Sequence, residues 1–144
     1  MKIESDFLIY SIGTSNRLFD EFLELLLKYY IQTVVDVRSF PTSKFIYFGR
    51  EHLEKKLPEK GIIYKYLGKE LGGFRKGGYI NYMKTEFFNE GIKKLEDIGR
   101  TITTAFFCAE RFPWNCHRRW IAEELIRRGW KVIHIIEKEK LWIP

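Results

Sequence analysis

The chain of 144 residues carries 25 basic and 19 acidic residues, a net charge of +6, and 45% of its residues are apolar. This length fits one domain with its own hydrophobic core and leaves little room for a second. No apolar run approaches the roughly 20 residues of a membrane-spanning helix. The 2 cysteines are too few to build a disulfide scaffold, so we expect neither a membrane protein nor a disulfide-rich one.

The beginning of the chain and its charge indicate a compartment and a class of partner. The first ten residues include Glu4 and Asp6 and lack the basic and apolar segments of a signal peptide. We therefore expect a cytoplasmic protein, with residues 1–144 forming a single domain. The positive charge favours anionic partners, either small molecules or nucleic acid, although scattered basic residues are equally typical of a solvated surface. Oligomeric state is not indicated.

Apolar runs and helical periodicity alternate along the chain. The predicted strands cover residues 7–12, 31–37, 62–67, 101–110 and 130–136. The predicted helices cover residues 18–30, 51–56, 79–98 and 116–128. This alternation predicts an α/β fold, a single three-layer domain with a mostly parallel sheet of about five strands and helices on both faces.

In such folds, ligands bind outside the carboxyl ends of the strands. The segments that follow predicted strand ends should therefore gather on one rim of the sheet. Those segments are residues 13–17, 36–41, 68–78 and 108–118. We expect the functional site on that rim.

The segment from Cys108 to Arg118 has the most chemical potential. Cys108 is expected at the end of the fourth strand. Asn115 is a good helix N-cap, which would put Cys116, His117 and Arg118 in the first helical turn. The free N–H groups and positive dipole of a helix N-terminus favour an anion. Together with Arg118, they would lower the pKa of Cys116 and make it a better nucleophile.

Three functions could use this arrangement. A Cys116 thiolate beside a bound anion suits phosphate or sulfur transfer, with Glu110 or His117 in proton transfer. Cys108 and Cys116 could instead cycle through a disulfide, or Cys108 could simply belong to the core. The two cysteines and His117 could also be zinc ligands, but their spacing matches no common zinc site, and a fourth ligand would have to come from His134 or an acidic residue. We therefore expect no bound metal.

Polar residues also follow the first two strands. Asp36 and Arg38 belong to an Asp-Val-Arg sequence that resembles that of rhodanese-like sulfurtransferases, although a plain ion pair at a strand end explains it equally well. Gly13 and Thr14 lie in a turn that could bind an anion. This turn has neither the three-glycine dinucleotide fingerprint nor a P-loop, so we expect no cofactor.

Five glycines fall within residues 68–78, Gly72 and Gly73 among them, which predicts a mobile or tightly turned segment. Arg75 and Lys76 in this segment could close over an anionic ligand. Aromatic residues lie close to it in sequence, and exposed aromatics interleaved with basic residues can stack on nucleic-acid bases.

Short motifs follow one another in order along nearly the whole chain: Ser11-Ile12-Gly13-x-Ser15, Asp36-Val37-Arg38-Ser39-x-Pro41-x-Ser43, Phe48-x-Arg50-Glu51-x-Leu53, Leu71-Gly72-Gly73, Tyr79-x-x-Tyr82-Met83, Cys108-Ala109-Glu110 and Cys116-His117-Arg118. This ordered set resembles the family known as domain of unknown function DUF488. In one departure, Thr14 stands where the family commonly has a histidine. The resemblance brings no established reaction, but it implies the site positions Asp36, Arg38, Glu110, Cys116, His117 and Arg118.

We therefore expect an enzyme that binds a phosphorylated or otherwise anionic ligand at the carboxyl ends of the strands. Arg38, Arg118 and the last helix's N-terminus would hold the anion, and Cys116 would be the nucleophile or redox thiol. The main alternative is a non-catalytic nucleic-acid-binding module that uses the net positive charge and the segment of residues 68–78. If the protein is instead the expected enzyme, its binding to nucleic acid should be weak and without sequence preference. A structural zinc domain is the third possibility.

Overall fold

The computed structural model describes residues 7–144, so Glu4 and Asp6 lie outside the described residues. Its strands are β1 (Leu8–Gly13), β2 (Thr33–Asp36), β3 (Ile63–Tyr66), β4 (Thr104–Cys108), β5 (Lys131–Glu137) and β6 (Lys140–Trp142). They form a single sheet in the order β3-β2-β4-β1-β5-β6. The first five strands run parallel, and β6 pairs antiparallel with β5. The predicted α/β fold with a mostly parallel sheet is confirmed.

The helices are α1 (Phe19–Lys28), α2 (Arg50–Lys56), α3 (Gly68–Leu71), α4 (Tyr79–Tyr82), α5 (Glu86–Thr101) and α6 (Arg118–Arg127). Short 3-10 turns occupy residues 46–48, 58–60 and 113–115. Within residues 7–144, none of the helices combines the length and the apolar character needed to cross a bilayer.

The core lies on both faces of the sheet. Successive side chains of a strand point to opposite faces, and β4 shows this clearly. Phe106 and Cys108 join the cluster packed against α5 and α6, whereas Ala105 and Phe107 join the cluster packed against α1 and α2. This arrangement puts the Cys108 side chain on the same face of the sheet as α6.

Two predicted segments differ from the observed ones. The helix expected over residues 79–98 is divided into α4 and α5, because the Thr85 hydroxyl accepts a hydrogen bond from the Phe88 backbone nitrogen (3.3 Å) and caps α5. The glycine-rich segment begins as helix α3, and among its glycines only Gly77 and Gly78 have a positive φ. It is therefore more regular than its composition predicted.

The prediction that Asn115 caps the last helix is wrong. Pro113 opens a 3-10 turn that ends at Asn115, and Cys116 then adopts an extended conformation (φ −148°, ψ 178°). His117 occupies the N-cap position and α6 begins at Arg118. Cys116 consequently precedes the helix, and its thiol is acted on by neighbouring side chains and by a backbone hydrogen bond from Arg118, the first residue of α6.

Phe107 offers a test of the core on the α1 side of the sheet. Its side chain is fully buried, and its ring packs against that of Phe22 with centroids 5.8 Å apart. We predict that Phe107→Ala lowers the free energy of unfolding by about 3–5 kcal/mol, because it leaves a cavity between sheet and helix.

Urea unfolding followed by circular dichroism measures this change. Ile46→Ala is the control, since Ile46 is 83% exposed, and it should change the free energy by less than about 0.5 kcal/mol. Equal effects of the two substitutions would contradict the assignment of Phe107 to the core.

Candidate active site

The loop after β4 lies tightly against the end of β1. Gly13 pairs with Cys108 in the strand register, and the backbone nitrogen of Thr14 donates to the Cys108 carbonyl at 2.9 Å. A Cβ atom at Gly13 would lie only 1.8 Å from the backbone oxygen of Glu110. Gly13 is therefore needed for the close approach of these two segments, and this contact fixes where the loop begins.

The two cysteines lie side by side. The Sγ atoms of Cys108 and Cys116 are 3.2 Å apart, and both are free thiols. Cys108 is buried, whereas Cys116 is half-buried and lines an open cavity. A disulfide has an S–S distance of about 2.05 Å, so the sulfur atoms would have to move together by roughly 1 Å to form one.

Arg118 is completely buried beneath this pair. Its Nε atom donates to Cys108 Sγ at 3.1 Å, and one terminal nitrogen donates to Ser11 Oγ at 2.7 Å. The other terminal nitrogen donates to the backbone oxygens of Glu110 and Arg111. Among residues 7–144, no carboxylate forms an ion pair with Arg118. A buried cation is costly without an anion, so a cysteine thiolate is the group that can balance its charge.

The two thiols differ in acidity because they differ in surroundings. Burial raises the pKa of Cys108, which keeps its proton. The hydrogen bond from Cys108 lowers the pKa of Cys116 to about 6, and the charge of Arg118 acts in the same direction against the opposing effect of burial. At neutral pH the negative charge therefore resides mainly on Cys116, the more exposed of the two cysteines that line the cavity.

His117 lies beside the two cysteines, and one of its ring nitrogens already forms a hydrogen bond. Its Nε2 atom is 2.6 Å from the backbone oxygen of Val37, so Nε2 carries the hydrogen and Nδ1 keeps a lone pair. Burial lowers the pKa of His117, which favours the neutral ring. A Cβ at Gly73 would lie 2.7 Å from Nδ1, so the glycine leaves room for the ring. His117 is thus placed to accept a proton.

Cys108, Cys116 and His117 can present ligand atoms within 4.8 Å of one another, closer together than their sequence spacing suggested. Three ligands are one fewer than a structural zinc site uses. His134, the fourth ligand considered from sequence, is bound to Ser11 instead. The guanidinium at Cys108 Sγ also adds positive charge where a divalent cation would bind.

Ser11 and His134 contact each other behind Arg118, and the sequence did not predict this contact. The Ser11 hydroxyl accepts from Arg118, so its hydrogen is directed to His134 Nδ1, 2.5 Å away. Burial, aided by the charge of Arg118, lowers the pKa of His134 to about 3, so this ring stays neutral. The sequence signal for this contact was a polar residue within each of two otherwise apolar strands, Ser11 in β1 and His134 in β5.

Asp36 and Arg38 form a separate buried ion pair. Both carboxylate oxygens accept from Arg38, at 2.9 and 2.8 Å, and Tyr64 also donates to Asp36. A further nitrogen of Arg38 donates to the backbone oxygen of Phe48 at 2.8 Å. Most N–H donors of Arg38, like those of Arg118, are therefore used within the protein. The two arginines supply positive potential to the site but few free hydrogen bonds for an anion.

A cavity of about 370 Å³ opens over the thiols. Of the predicted site residues, it is lined by Arg38, Gly73, Cys108, Glu110, Cys116 and His117. The others support its walls from behind: Gly13, Thr14, Asp36, Gly72 and Arg118. The lining also includes residues that the predicted site lacked: Ser39, Phe40, Thr42, Phe74, Ala109 and Asn115.

Glu110 contacts Arg118 through its backbone and not through the carboxylate that was expected to take part in proton transfer. Its side chain is exposed and lines the cavity, but the contact with Arg118 is made by its backbone oxygen. No hydrogen bond joins its carboxylate to His117 or Arg118 in the described chain. Glu110 is available to a ligand, whereas His117 is the base nearest to the thiols.

The family model for the domain of unknown function DUF488 matches residues 18–125. The chain belongs to this family. The match covers the two cysteines, His117 and Arg118, while Ser11 and His134 lie outside it. No curated protein and no solved structure matches the chain. Membership in DUF488 confirms the resemblance seen in the sequence motifs and assigns no reaction, so the geometry of the site has to indicate the chemistry.

The acidity of Cys116 can be measured directly. We predict that its alkylation by iodoacetamide follows a pKa of about 6, with the rate falling as the pH drops through that value and the thiolate is protonated. Cys108→Ala should raise this pKa, because it removes the hydrogen bond to the thiolate. Mass spectrometry should place the first adduct on Cys116. A pKa at or above the ordinary value of about 8.5, or faster labelling of Cys108, would contradict an activated Cys116.

The zinc content of the purified protein tests whether the cluster of Cys108, Cys116 and His117 binds a metal ion. We predict that protein purified without chelator carries well under one zinc ion per chain, because Arg118 opposes a divalent cation and only three ligands converge. Atomic absorption measures the content, and Cys116→Ser is the comparison. Stoichiometric zinc that disappears in this variant would make the cluster a metal site.

Proposed function

We propose that this protein is an enzyme of thiol–disulfide exchange in which Cys116 is the attacking thiolate and Cys108 is its redox partner. One observation carries the proposal. The buried cation Arg118 has no carboxylate partner among the described residues and instead donates to Cys108 Sγ, 3.2 Å from Cys116 Sγ. A cation held in this way favours one thiolate shared by the pair, and the more exposed sulfur faces the cavity.

The reaction has two exchanges. The Cys116 thiolate attacks one sulfur of a substrate disulfide, whose S–S bond breaks as the other half leaves as a thiolate. Cys108 then attacks the Cys116 sulfur of the mixed disulfide while its proton passes to a base. A Cys108–Cys116 disulfide forms and the second substrate thiol leaves. The substrate disulfide has gained two electrons and the cysteine pair has lost two, and the same steps in reverse oxidise a substrate dithiol.

The neighbouring groups suit these steps. The neutral ring of His117 has a nitrogen within 4.8 Å of both sulfur atoms, which makes His117 a candidate acceptor for the Cys108 proton. The charge of Arg118, which no carboxylate balances among the described residues, stabilises the anionic thiolates that attack and leave. Sulfur or phosphate transfer by Cys116 needs no second thiol, so the closeness of Cys108 favours redox exchange.

Nucleic-acid binding, the alternative from sequence, has less support. Arg75 is turned inward, where it donates to the Gly72 backbone oxygen at 2.9 Å and stacks over the Tyr82 ring at 3.8 Å. The weak attraction of a net charge of +6 for phosphates remains.

The order of attack can be tested with an activated disulfide, 4,4′-dithiodipyridine, whose thiopyridone product absorbs light. We predict that the reduced wild-type protein releases two thiopyridones per chain and ends with an internal disulfide. Cys108→Ser should release one and retain a mixed disulfide on Cys116, because the second thiol is missing. Cys116→Ser should react slowly, because Cys108 is buried and keeps its proton.

Intact-mass measurement after each reaction identifies the products. The two serine variants are matched controls, since each removes one sulfur atom from the same site. Equal behaviour of the two variants, or failure of the wild type to form the internal disulfide, would rule out the proposed exchange.

A further inference from the structure

Two exposed phenylalanine rings stand at the mouth of the thiol cavity. Phe40 is 67% exposed and Phe74 is 78% exposed, yet their ring centroids are only 5.6 Å apart and both residues line the cavity with Cys116. They come from separate loops, which are joined by a hydrogen bond of 3.0 Å from the Phe74 backbone nitrogen to Ser39 Oγ. Two exposed aromatic rings that are held together beside a reactive group are typical of a binding site.

The cavity offers little to a charged ligand. Of the described residues that line it, the charged side chains other than the thiolate are Arg38, whose donors bind Asp36 and Phe48, and the acidic Glu110. The nearby Arg75 is bound to backbone oxygens. A substrate with carboxylates next to its disulfide would therefore find no free cation to pair with and would meet the charge of Glu110.

The position of the rings also indicates the size of the substrate. The cavity, at about 370 Å³, is near the small end of ligand sites and is open to solvent. Phe40 and Phe74 line it and are mostly exposed, so they are available to groups attached next to the reacting disulfide. A polypeptide supplies such groups, because the residues next to its cystine extend past the cavity mouth.

Building on the exchange activity proposed above, we infer that the substrate is a polypeptide disulfide with an uncharged aromatic or apolar residue next to the cysteine that Cys116 attacks. Phe40 and Phe74 contact that residue and select the substrate. We expect them to act on binding, since they offer no charge or hydrogen bond to Cys116, whose low pKa arises from the hydrogen bond of Cys108 and from Arg118. Removing them should therefore change the choice of substrate and leave the reactivity of Cys116 as it was.

The experiment compares three disulfide-linked peptides that differ in the residue next to cysteine: phenylalanine, glycine or aspartate. Formation of the Cys108–Cys116 disulfide is followed by intact mass, with each peptide in excess over the reduced protein. We expect the phenylalanine peptide to react about tenfold faster than the glycine peptide, from the strength of aromatic contacts, and the aspartate peptide to be slowest.

The variant Phe40→Ala/Phe74→Ala should react with the phenylalanine and glycine peptides at nearly equal rates. Its alkylation by iodoacetamide, and the pKa of that reaction, should match the wild type, which shows that the thiol site is intact. Both rings are exposed, so we expect the variant to fold, and circular dichroism checks this.

Three results would overturn the inference. The phenylalanine and glycine peptides could react equally with the wild type, or the double variant could keep the preference. The double variant could also lose as much rate with dithiodipyridine as with the phenylalanine peptide, which would make the rings a site for small aromatic disulfides. In each case the exchange itself would stand. If no disulfide probe oxidised the cysteine pair, the proposed function would fail as a whole.

Discussion

The site depends on a fully buried guanidinium that has no carboxylate to neutralise it in the described chain. Taking such a cation out of water costs several kcal/mol unless an anion and hydrogen-bond acceptors replace the solvent. The acceptors of Arg118 are Ser11 Oγ and two backbone oxygens, all neutral, and Cys108 Sγ. Among the described residues that contact Arg118, the cysteine pair is therefore the group able to carry the balancing charge. The hydrogen bond from Cys108 and the charge of Arg118 both lower the pKa of Cys116.

Arg38, the other buried arginine of this rim, shows what a structural guanidinium looks like in the same protein. Its charge is balanced by both oxygens of Asp36, and its remaining donors hold backbone oxygens of the segment that includes Phe48. That pair keeps the loop after β2 in place and needs no further partner. Arg38 therefore has a structural role in holding a loop. Arg118 differs because no carboxylate balances its charge, so a thiolate has to do so.

The sequence predicted the strands, the helices on both faces and the rim, because apolar runs and helical periodicity record which side chains the sheet buries. It also placed Cys108 correctly at a strand end. The sequence did not predict the start of α6. Asn115 was expected to be the N-cap of this helix, but it belongs to a 3-10 turn that begins at Pro113. The strand β6 was missed because its three residues are exposed and are too few to show a periodic pattern.

The contact of Ser11 with His134 could not be predicted either, since it joins two strands 123 residues apart in sequence, and only their pairing brings them together. The Ser11 hydroxyl held in this way is one of the neutral acceptors of Arg118. Closing the Cys108–Cys116 disulfide would remove the thiolate and leave Arg118 buried with neutral acceptors alone. The interaction between Arg118 and the thiolate therefore stabilises the reduced form of the pair, which argues against a disulfide whose role is to brace the fold.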